Sequence, residues 1–472
     1  MALSSIAKTL RLGIVIGFAL AATAAAPADE QLVLTPNEMR MGANNALIIG
    51  DNKLALEIAN ALLWRDADDS VAHTIKSRAE RNLGRVDAAL DSAKDAWRTA
   101  ETEGHRFNAA MVRAQALATA GNHTASQFWL RRAVEGAPDD ETRAVATRDF
   151  QYVRARNKWS ANFSFNITPS SNVNNGSSRD SFTLSDNAHP ILRLLAALAN
   201  TEESNVSGAA QALEGLEYSG GVVGRYRFSQ TETYAHDITF RANYRTYTLS
   251  DDAKAQAPGV SGSDFAFGET ALGYTFHNTP ENWIGPYSLS VMGGRTWYAG
   301  DPYFDFLRLG GTQIYKLSDR AALSFHGSAE RRDGLQIADS DNLRGDVRFR
   351  FAVSELGVAA LTLGHTKSMS NDTQLDYTEW RGGIDFTLAK PVLGTRVSFG
   401  VTVSERAYDV SIWDMSGRDD FEVGAHVDVV FTELEHYGFN PTITIKASET
   451  DSNIGRFDAN RVGVQFGIRS AF

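Results

Sequence analysis

From Trp159 onwards, the chain repeatedly alternates apolar side chains with polar or very small ones. In the last such segment, glycine and glutamine separate the apolar residues Val462, Val464, Phe466 and Ile468, and an arginine lies on either side of the run. Successive side chains of a β-strand point to opposite faces of the sheet. Each segment therefore predicts a strand with one apolar face and one polar face, and a fold that must cover or embed the apolar faces.

Fourteen segments of this kind predict fourteen strands. They lie near residues 159–168, 216–228, 233–247, 264–276, 284–297, 304–316, 320–332, 342–353, 356–368, 378–389, 395–407, 419–432, 440–449 and 459–472. A soluble β-sandwich gives the same alternation. The even number of strands favours a transmembrane antiparallel β-barrel. So do the connections, in which short turns such as 229–232 alternate with longer polar loops such as 408–418.

Aromatic residues lie near the ends of the predicted strands: Trp159, Trp283, Trp297, Trp380, Trp413, Tyr218, Tyr298, Tyr408 and Tyr437. Such rings favour the headgroup level of a bilayer. Phe466, Ile468 and Phe472 resemble the C-terminal signal that the outer-membrane barrel insertion machinery recognises. We therefore expect a barrel over 159–472 in the cell outer membrane, with that machinery and the lipid bilayer as partners.

The first 28 residues are typical of a secretory signal peptide. Lys8 and Arg11 precede the apolar run LGIVIGFALAA, and small residues follow it. That run is too short to span a membrane, and Ala26-Pro27-Ala28 predicts cleavage after Ala28. We expect the mature chain to be exported.

Residues 29–150 predict a helical repeat domain in the periplasm, followed by a linker over 151–158. Gly50, Gly84 and Gly121 each precede an alanine-rich helical segment, and the first two are 34 residues apart. A 34-residue period of paired helices is typical of tetratricopeptide repeats. Small residues recur where these helices would approach closely, at Ala55, Ala59, Ala89, Ala93, Ala96, Ala125 and Ala133. Repeat arrays present concave surfaces to partners, so we expect this domain to capture a protein; a generic alanine-rich bundle is the alternative.

Composition and motifs exclude several classes of protein. The chain has no cysteine, which excludes disulfide scaffolds, cysteine nucleophiles and thiolate metal sites. Its net charge of −11 argues against a nucleic-acid partner, because phosphate binding requires basic surface. Metalloprotease, serine hydrolase, phosphate-binding and dinucleotide-binding patterns are absent. We expect no catalytic residues, no cofactor and no metal site.

Two segments at the start and end of the predicted barrel are recognisable: FSFNITPSSNVNNGSS, with the core Asn172, Val173, Asn174 and Asn175, and FDANRVGVQFGIRSAF. The first resembles the barrel opening, and the second the closing strand, of the surface lipoprotein assembly modulator family. The resemblance implies a periplasmic repeat domain, a 14-stranded barrel, and delivery of surface lipoproteins or related effectors to the cell exterior. This chain departs from the family in its long segment after Asn175.

That long segment predicts a helical insertion near 188–214, with helical spacing at 189–198 and 207–216. It either packs over the rim as an ordered loop, which we favour, or lines, gates or caps the lumen. Lumen-facing charges are predicted at Arg241, Arg245, Glu330, Arg332, Arg348, Arg350, Glu422, Asp428 and Arg469. They either form ion pairs that stiffen the wall or provide a polar track for a translocated chain.

Three functions are compatible with these features. The first is an outer-membrane translocon that captures an exported protein or lipoprotein client through its repeats and delivers it through or along the barrel. The second is an exopolysaccharide-export porin, for which we expect a longer repeat array and a lumen of one charge sign. The third is a passive porin or adhesin, in which the helical domain has no evident use.

Overall fold

The computed structural model describes residues 34–201, 203–280, 285–434, 436–437 and 439–470. The signal peptide expected over 1–28, the headgroup-level aromatic Trp283, and Phe472 of the C-terminal signal lie outside these residues. The chain divides into two compact units, one ending at Thr119 and the other beginning at Ala120.

The first unit is a set of paired antiparallel helices: α1 Pro36–Ile49, α2 Asn52–Arg65, α3 Ser70–Asn82, α4 Val86–Arg98 and α5 Glu103–Thr119. Thr35, Asp51 and Asp69 cap the first three helices, each accepting a hydrogen bond from a backbone N–H of the first turn. Alanines bring the helices close together, since Ala43, Ala55 and Ala79 from three of them are fully buried in one cluster.

The second unit begins with two more helices, α6 His123–Glu135 and α7 Asp140–Arg156. Gly50, Gly84 and Gly121, the residues that set the repeat spacing, have φ of 86°, 79° and 79°. This left-handed conformation after the first helix of each pair favours glycine. The repeat prediction is thus confirmed as a tetratricopeptide-like architecture. Its small residues are buried as predicted, except for Ala125, which is half-buried.

The remaining strands form a closed antiparallel barrel in the order β1-β16-β15-β14-β13-β12-β11-β10-β9-β8-β7-β6-β5-β4. Their bounds are β1 Trp159–Ser170, β4 Gly215–Gln230, β5 Tyr234–Leu249, β6 Phe267–Asn278, β7 Tyr287–Tyr298, β8 Asp301–Ser318, β9 Ala321–Gly334, β10 Ser340–Val353, β11 Gly357–Ser370, β12 Tyr377–Leu388, β13 Thr395–Tyr408, β14 Arg418–Phe431, β15 Phe439–Ser452 and β16 Ala459–Ser470. The fourteen predicted strands are confirmed, with bounds that differ by about three residues or fewer over the described part of the chain.

The barrel has two different ends. At the helix end, β1 follows α7 directly and the strands are joined by turns such as 354–356. At the loop end lie α9 Asp251–Gln256 and a long insertion between β1 and β4. That insertion contains the short strands β2 Ser181–Thr183 and β3 Glu203–Asn205 and, between them, the helix α8 Pro190–Ala199.

The outside of the barrel is apolar. On β14, the outward-facing residues Phe421, Val423 and Val427 are exposed, as are apolar residues on most other strands. Residues 421–431 span roughly 33 Å along the strand. At a tilt of about 40° this is roughly 25 Å along the barrel axis, the height of the apolar band of an outer-membrane barrel. The chain therefore has the exterior of an outer-membrane barrel.

Trp159 and Trp380 are exposed on the outside of the barrel, as an aromatic belt requires, but Trp413 and Tyr408 lie elsewhere. Trp413 packs against Phe182 of the insertion, with ring centroids 5.4 Å apart. Tyr408 is buried under the guanidinium of Arg418. Both therefore belong to the loop-end packing and not to an outer aromatic belt. Among the described residues, no helix combines the length and apolarity needed to cross a membrane.

Candidate functional site

The lumen wall carries a chain of arginine–carboxylate pairs that begins on β8 and β9. Glu330 is only 7% exposed and lies between two arginines. Arg332 donates from Nε to Glu330 Oε1 at 2.6 Å, and Arg308 donates to the other carboxylate oxygen. Such pairing offsets the cost of removing a carboxylate from water. It also places two positive charges around one negative charge.

A second carboxylate, on β12, is paired in the same way. Glu379 is 6% exposed and accepts hydrogen bonds from Arg406 Nε at 2.8 Å and Arg381 Nη1 at 3.2 Å. Arg381 also reaches Asp346 on β10, with 2.8 Å between Nη2 and Oδ1. Arg344 donates from Nε to the other oxygen of Asp346 at 2.7 Å. The pairs therefore continue from β10 to β13.

Glycines allow these side chains to meet across an intervening strand. Gly364 on β11 lies between Asp346 and Arg381, and a Cβ there would be 2.4 Å from Asp346 Oδ1 and 3.0 Å from Arg381 Nη2. On β13, a Cβ at Gly400 would be 2.6 Å from Cε1 of His426 and 2.7 Å from Oδ1 of Asp385. Sequence inspection identified several of the charges but missed these glycines, because their role depends on the register of three strands.

The two glutamate networks enclose a recess of about 530 Å³ in the lumen wall, which we call the cationic recess. Its charged lining consists of five arginines and two glutamates, together with His326: Arg308, Arg332, Arg344, Arg381, Arg406, Glu330 and Glu379. Because arginines outnumber carboxylates, the recess is positive, although the whole chain has a net charge of −11. It can hold anionic groups.

The predicted lumen charges are spread around the barrel rather than gathered in one cluster. Glu330 lines the cationic recess. Arg348 pairs with Asp385, with 3.3 Å between Nη2 and Oδ2. Asp428 accepts a hydrogen bond from Thr444 Oγ1 at 2.5 Å.

The other predicted charges make longer contacts with their neighbours. Arg241 Nη1 lies 3.9 Å from Glu269 Oε1, and the Arg245 guanidinium lies 5.3 Å from the centre of the Phe267 ring. Glu422 accepts from Thr450 Oγ1 at 3.4 Å. Within the described part of the chain, Arg350 makes no ion pair. The geometry therefore supports ion pairing for part of the set, and a role as a client track stays a prediction.

The family-like motif folds into the loop end of the lumen, where residues 172–177 form what we call the mouth segment. Asn172 binds Gly176 through both ends of its amide, at 2.9 Å each. Asn174 donates to the carbonyl oxygens of Ala209 and Gln211 at 3.1 and 2.8 Å and accepts from the N–H of Leu213 at 3.0 Å. These bonds fold the two ends of the insertion against each other.

The remaining motif residues direct the segment into the barrel. Val173 is buried against Leu213 and Tyr247, and Asn175 adopts a left-handed conformation with φ of 56°. In this conformation Asn175 accepts a hydrogen bond from Arg461 of β16. The mouth segment and lumen residues of β13 to β15 together line a second cavity of about 460 Å³.

The rest of the insertion packs over the rim. Phe182 and Val206 are buried against Ile454, with Trp413 and Phe457 beside them. Ser185 Oγ donates to Asp414 Oδ2 at 2.7 Å. The hydrogen bond from the Ser416 side chain lowers the pKa of Asp414; burial opposes this, and the bond from Ser185 adds to the lowering.

One helix of the insertion is confirmed and one is wrong. The helix expected over 189–198 is α8, which leaves its apolar residues Ile191, Leu194 and Leu198 exposed. The helix expected over 207–216 does not form. Only Gly208–Ala210 makes a single 3₁₀ turn, and β4 begins at Gly215. The hydrogen bonds of these residues go instead to Asn174 and Ser177.

At the helix end, α6 contacts the turn before β15. Arg131 of α6 donates to the carbonyl oxygen of Tyr437 at 3.1 Å and lies 4.9 Å from the ring centre of Phe439. Glu135 accepts from the N–H of Tyr437 at 3.0 Å and pairs with Nδ1 of His436 at 2.9 Å. The last helix pair is thereby attached to the barrel.

The described residues contain no group of histidines and carboxylates that could hold a metal ion. His326 donates to or accepts from Thr312 Oγ1 at 3.0 Å, and His365 stacks near Trp380, with ring centroids 4.3 Å apart. These histidines have structural neighbours on the barrel wall.

No protein-family model matches the chain, and no curated protein matches it either. Among solved structures, its helices are similar to the Yersinia enterocolitica type III secretion translocator chaperone SycD, at 19% identity over 26% of this chain and 86% of that chain, with a TM-score of 0.24. Its barrel is similar to a BenF-like porin from Pseudomonas fluorescens, at 9% identity over 66% of this chain and 98% of that chain, with a TM-score of 0.34. An outer membrane channel from Pseudomonas putida is similar at 12% identity over 65% and 95% of the two chains, with a TM-score of 0.31. These likenesses concern fold alone.

Proposed function

We propose that the chain is an outer-membrane translocon that captures an exported protein client in the periplasm and delivers it to the cell surface, as the surface lipoprotein assembly modulator family does. The observation that carries this proposal is that one chain contains a helical repeat array and a closed barrel, with the last helix pair, α6 and α7, joined to the barrel by the chain and by the contacts of α6. Only Asn157 and Lys158 separate α7 from β1. The proposed activity is transport, without catalysis or a cofactor.

The arrangement of chain ends supports a periplasmic position for the helices. Both the start of β1 and the end of β16 lie at the helix end, with short turns such as 354–356, and the longest connections, 171–214, 250–266 and 409–417, lie at the other end. Outer-membrane barrels place their short turns in the periplasm. The contacts of α6 with the turn at Tyr437 then hold the last helix pair at the periplasmic opening.

The first helices of the pairs, α1, α3 and α5, offer a surface for the client. Asn44, Arg78 and Gln115 each lie six residues before a glycine that sets the repeat, so they occupy equivalent positions on α1, α3 and α5. All three are half-buried, and Arg81 Nη1 donates to Gln115 Oε1 at 2.6 Å. We call this set the polar row. Arg78 and the nearby Arg81 are both positive, and burial, followed by the charge of Arg81, lowers the pKa of Arg78. A negatively charged client segment would offset the repulsion between these two arginines, so we infer that the row favours such a client.

The experiment compares surface proteins, identified by biotinylation of intact cells, with and without this chain. Loss of the chain should remove one or more specific proteins from the surface while their periplasmic pool remains. Arg78→Glu at equal barrel abundance should reproduce that loss, because it reverses the charge of the polar row. Arg98→Glu on α4 is the matched control, since that side chain is 61% exposed.

Three outcomes contradict the proposal or part of it. An unchanged surface proteome in cells that lack the chain would refute the translocon. If exopolysaccharide disappears instead, the exporter hypothesis is correct. Loss of surface proteins without the chain, but not with Arg78→Glu, would refute only the polar row as the binding surface.

The cationic recess favours a second candidate function, a passive porin for anionic solutes. Five arginines on one part of the lumen wall lower the energy of an anion there and raise that of a cation. If the chain is such a porin, it should conduct anions selectively when purified and placed in planar bilayers. The set of proteins on the cell surface should then be the same with and without the chain.

A further inference from the structure

The cationic recess has a positive centre at each of its two sides. The first, on β8 and β9, is called the β9 centre and consists of Glu330 with Arg308 and Arg332. The second, on β12 and β13, is called the β12 centre and consists of Glu379 with Arg381 and Arg406. In each centre two guanidinium groups share one carboxylate, so each centre carries more positive than negative charge.

Aromatic rings hold an arginine of each centre in place. The guanidinium carbon of Arg332 lies 5.0 Å from the ring centre of Phe304, and that of Arg406 lies 4.8 Å from the ring centre of Tyr377. Such cation–π contacts reduce the conformational freedom that an arginine loses when it binds a ligand. Arg406 also covers Tyr377, the ring that lines the recess, so the recess offers charge and hydrogen bonds rather than an open aromatic face.

Small neutral side chains form the floor between the two centres. Ser328, Asn342 and Thr366 line the recess there, with Asn342 opposite Glu330 and Thr366 opposite Glu379 in the strand register. β9 and β12 are three strand spacings apart, which is about 14 Å because neighbouring strands lie about 4.8 Å apart. The hydroxyl and amide groups of this floor can hydrogen-bond a polypeptide backbone.

Some arginine nitrogens in the recess remain available to a ligand. Within the described residues, Arg332 uses only its Nε to bind Glu330, and its side chain is 33% exposed. Arg344, the fifth arginine of the recess, binds Asp346 through Nε and Nη2, which leaves Nη1. Terminal guanidinium nitrogens of this kind donate strong, charge-assisted hydrogen bonds to carboxylates.

The recess lies near the loop end of the lumen. Arg332 and Arg406 are each two residues from the loop end of their strand, and Tyr377 is the first residue of β12. Arg406 also lines the second cavity, beside the mouth segment. With the helix end in the periplasm, as proposed above, a client segment reaches the recess only after it has crossed most of the lumen.

We propose that the cationic recess binds an extended acidic segment of the client near the exit of the lumen, with one carboxylate at the β9 centre and one at the β12 centre. This inference rests on the proposed function and names the kind of client segment that the lumen holds. In an extended chain, side chains four residues apart on the same face are separated by about 14 Å, which matches the spacing of the two centres. Two carboxylates also neutralise the two positive charges that remain when Asp346 and the two glutamates are paired with five arginines.

Short labelled peptides of glycine and serine test this proposal with the purified full-length chain in detergent. The first peptide carries two glutamates four residues apart, the second carries two adjacent glutamates, and the third carries one glutamate and one glutamine four residues apart. Fluorescence anisotropy should show that the first peptide binds roughly tenfold more tightly than either of the others. Only the first peptide reaches both centres, and tenfold is at the low end of what a lost hydrogen bond to a charged group costs.

Two variants remove one positive charge from each centre in turn. Arg332→Gln and Arg406→Gln should each lower the affinity for the first peptide to that for the third. The control is Arg396→Gln, which should leave the affinity unchanged. Arg396 is on β13, ten residues from Arg406 and therefore on the same face of the strand. Heat-induced change in gel migration shows whether each variant is folded, and the peptide series on the unmodified chain tests the proposal without any variant.

Equal affinities for the three peptides would overturn the proposal, because a general positive field does not distinguish their spacing. The same would follow if Arg396→Gln weakened binding as much as Arg332→Gln and Arg406→Gln. An oligoglucuronate that binds more tightly than the first peptide would overturn it in favour of an anionic saccharide. Peptide binding as expected, in a chain whose loss leaves the surface proteome unchanged, would refute the translocon and leave the acidic-peptide site in place.

Discussion

At the scale of single residues, the ion pairs of the lumen wall depend on glycines, which have no side chain, as much as on the charged residues themselves. Arg381 and Asp346 are on strands that are not neighbours, and they meet because Gly364 leaves the space between them empty. The ion pair then links three strands of the wall. A buried carboxylate that loses one partner is costly, so the glycine contributes to stability through its neighbours.

Gly364→Ala should therefore destabilise the barrel. The new methyl group would displace the Asp346 and Arg381 side chains, and we expect a loss of about 1–3 kcal/mol in the free energy of unfolding, the usual range for a broken buried network. Heat-induced change in gel migration of the purified barrel measures this. Gly345→Ala on β10 is the control, because a Cβ there meets no atom within 4 Å; equal melting of the two variants would contradict the role assigned to Gly364.

At the scale of elements, the insertion shows how local helical spacing is overridden. Residues 207–216 have helical spacing, but the N–H of Leu213 is bound by Asn174 and the N–H of Ala212 by the carbonyl of Ser177. These long-range bonds satisfy the backbone in an extended form that continues into β4. By contrast, α8 has Pro190 in its first turn and keeps its own hydrogen bonds.

Asn174→Ala should loosen the mouth of the lumen. Its side-chain amide makes hydrogen bonds with backbone groups of Ala209, Gln211 and Leu213. Each buried backbone group left without a partner costs about 1–3 kcal/mol of stability. We expect increased entry of a bulky antibiotic into cells that carry the variant. Asn187→Ala, in the same insertion, keeps these three bonds, so equal permeability of the two variants would contradict a closing role for the mouth segment.

At the scale of the whole molecule, charge is distributed unevenly. The chain is acidic overall, whereas the lumen wall between β8 and β13 carries more arginines than carboxylates. A positive lumen affects both small anions and acidic segments of a client, because the low-dielectric wall strengthens the field inside it. The same feature therefore bears on the translocon and on the porin.

Reversing two lumen charges distinguishes the functions at this scale. Arg348→Glu together with Arg350→Glu on β10 should shift the reversal potential in planar bilayers toward cation selectivity, since two positive positions become negative. If the lumen is the client's route, surface delivery should also fall at equal barrel abundance. Altered selectivity with unchanged delivery would restrict these residues to ion conduction and wall structure. The control is Arg331→Glu, an exposed arginine that pairs with Asp339 and Asp341 near the β9–β10 loop.

The sequence by itself determined the elements of this protein. Alternation with a period of two determined fourteen strands, and glycines at Gly50, Gly84 and Gly121 determined the helical repeat, because both patterns follow from local backbone geometry. It also indicated which charges face the lumen, such as Glu330 and Arg348.

Only the tertiary structure decided which of those charges meet, and that residues 172–177 fold into the lumen while the rest of the insertion packs over the rim. These features depend on register, on empty space such as that at Gly364, and on contacts between residues almost 300 positions apart, such as Arg461 with Asn175. A local pattern contains no information about such distances, because hydrogen bonding and packing between remote segments are fixed only when the barrel closes.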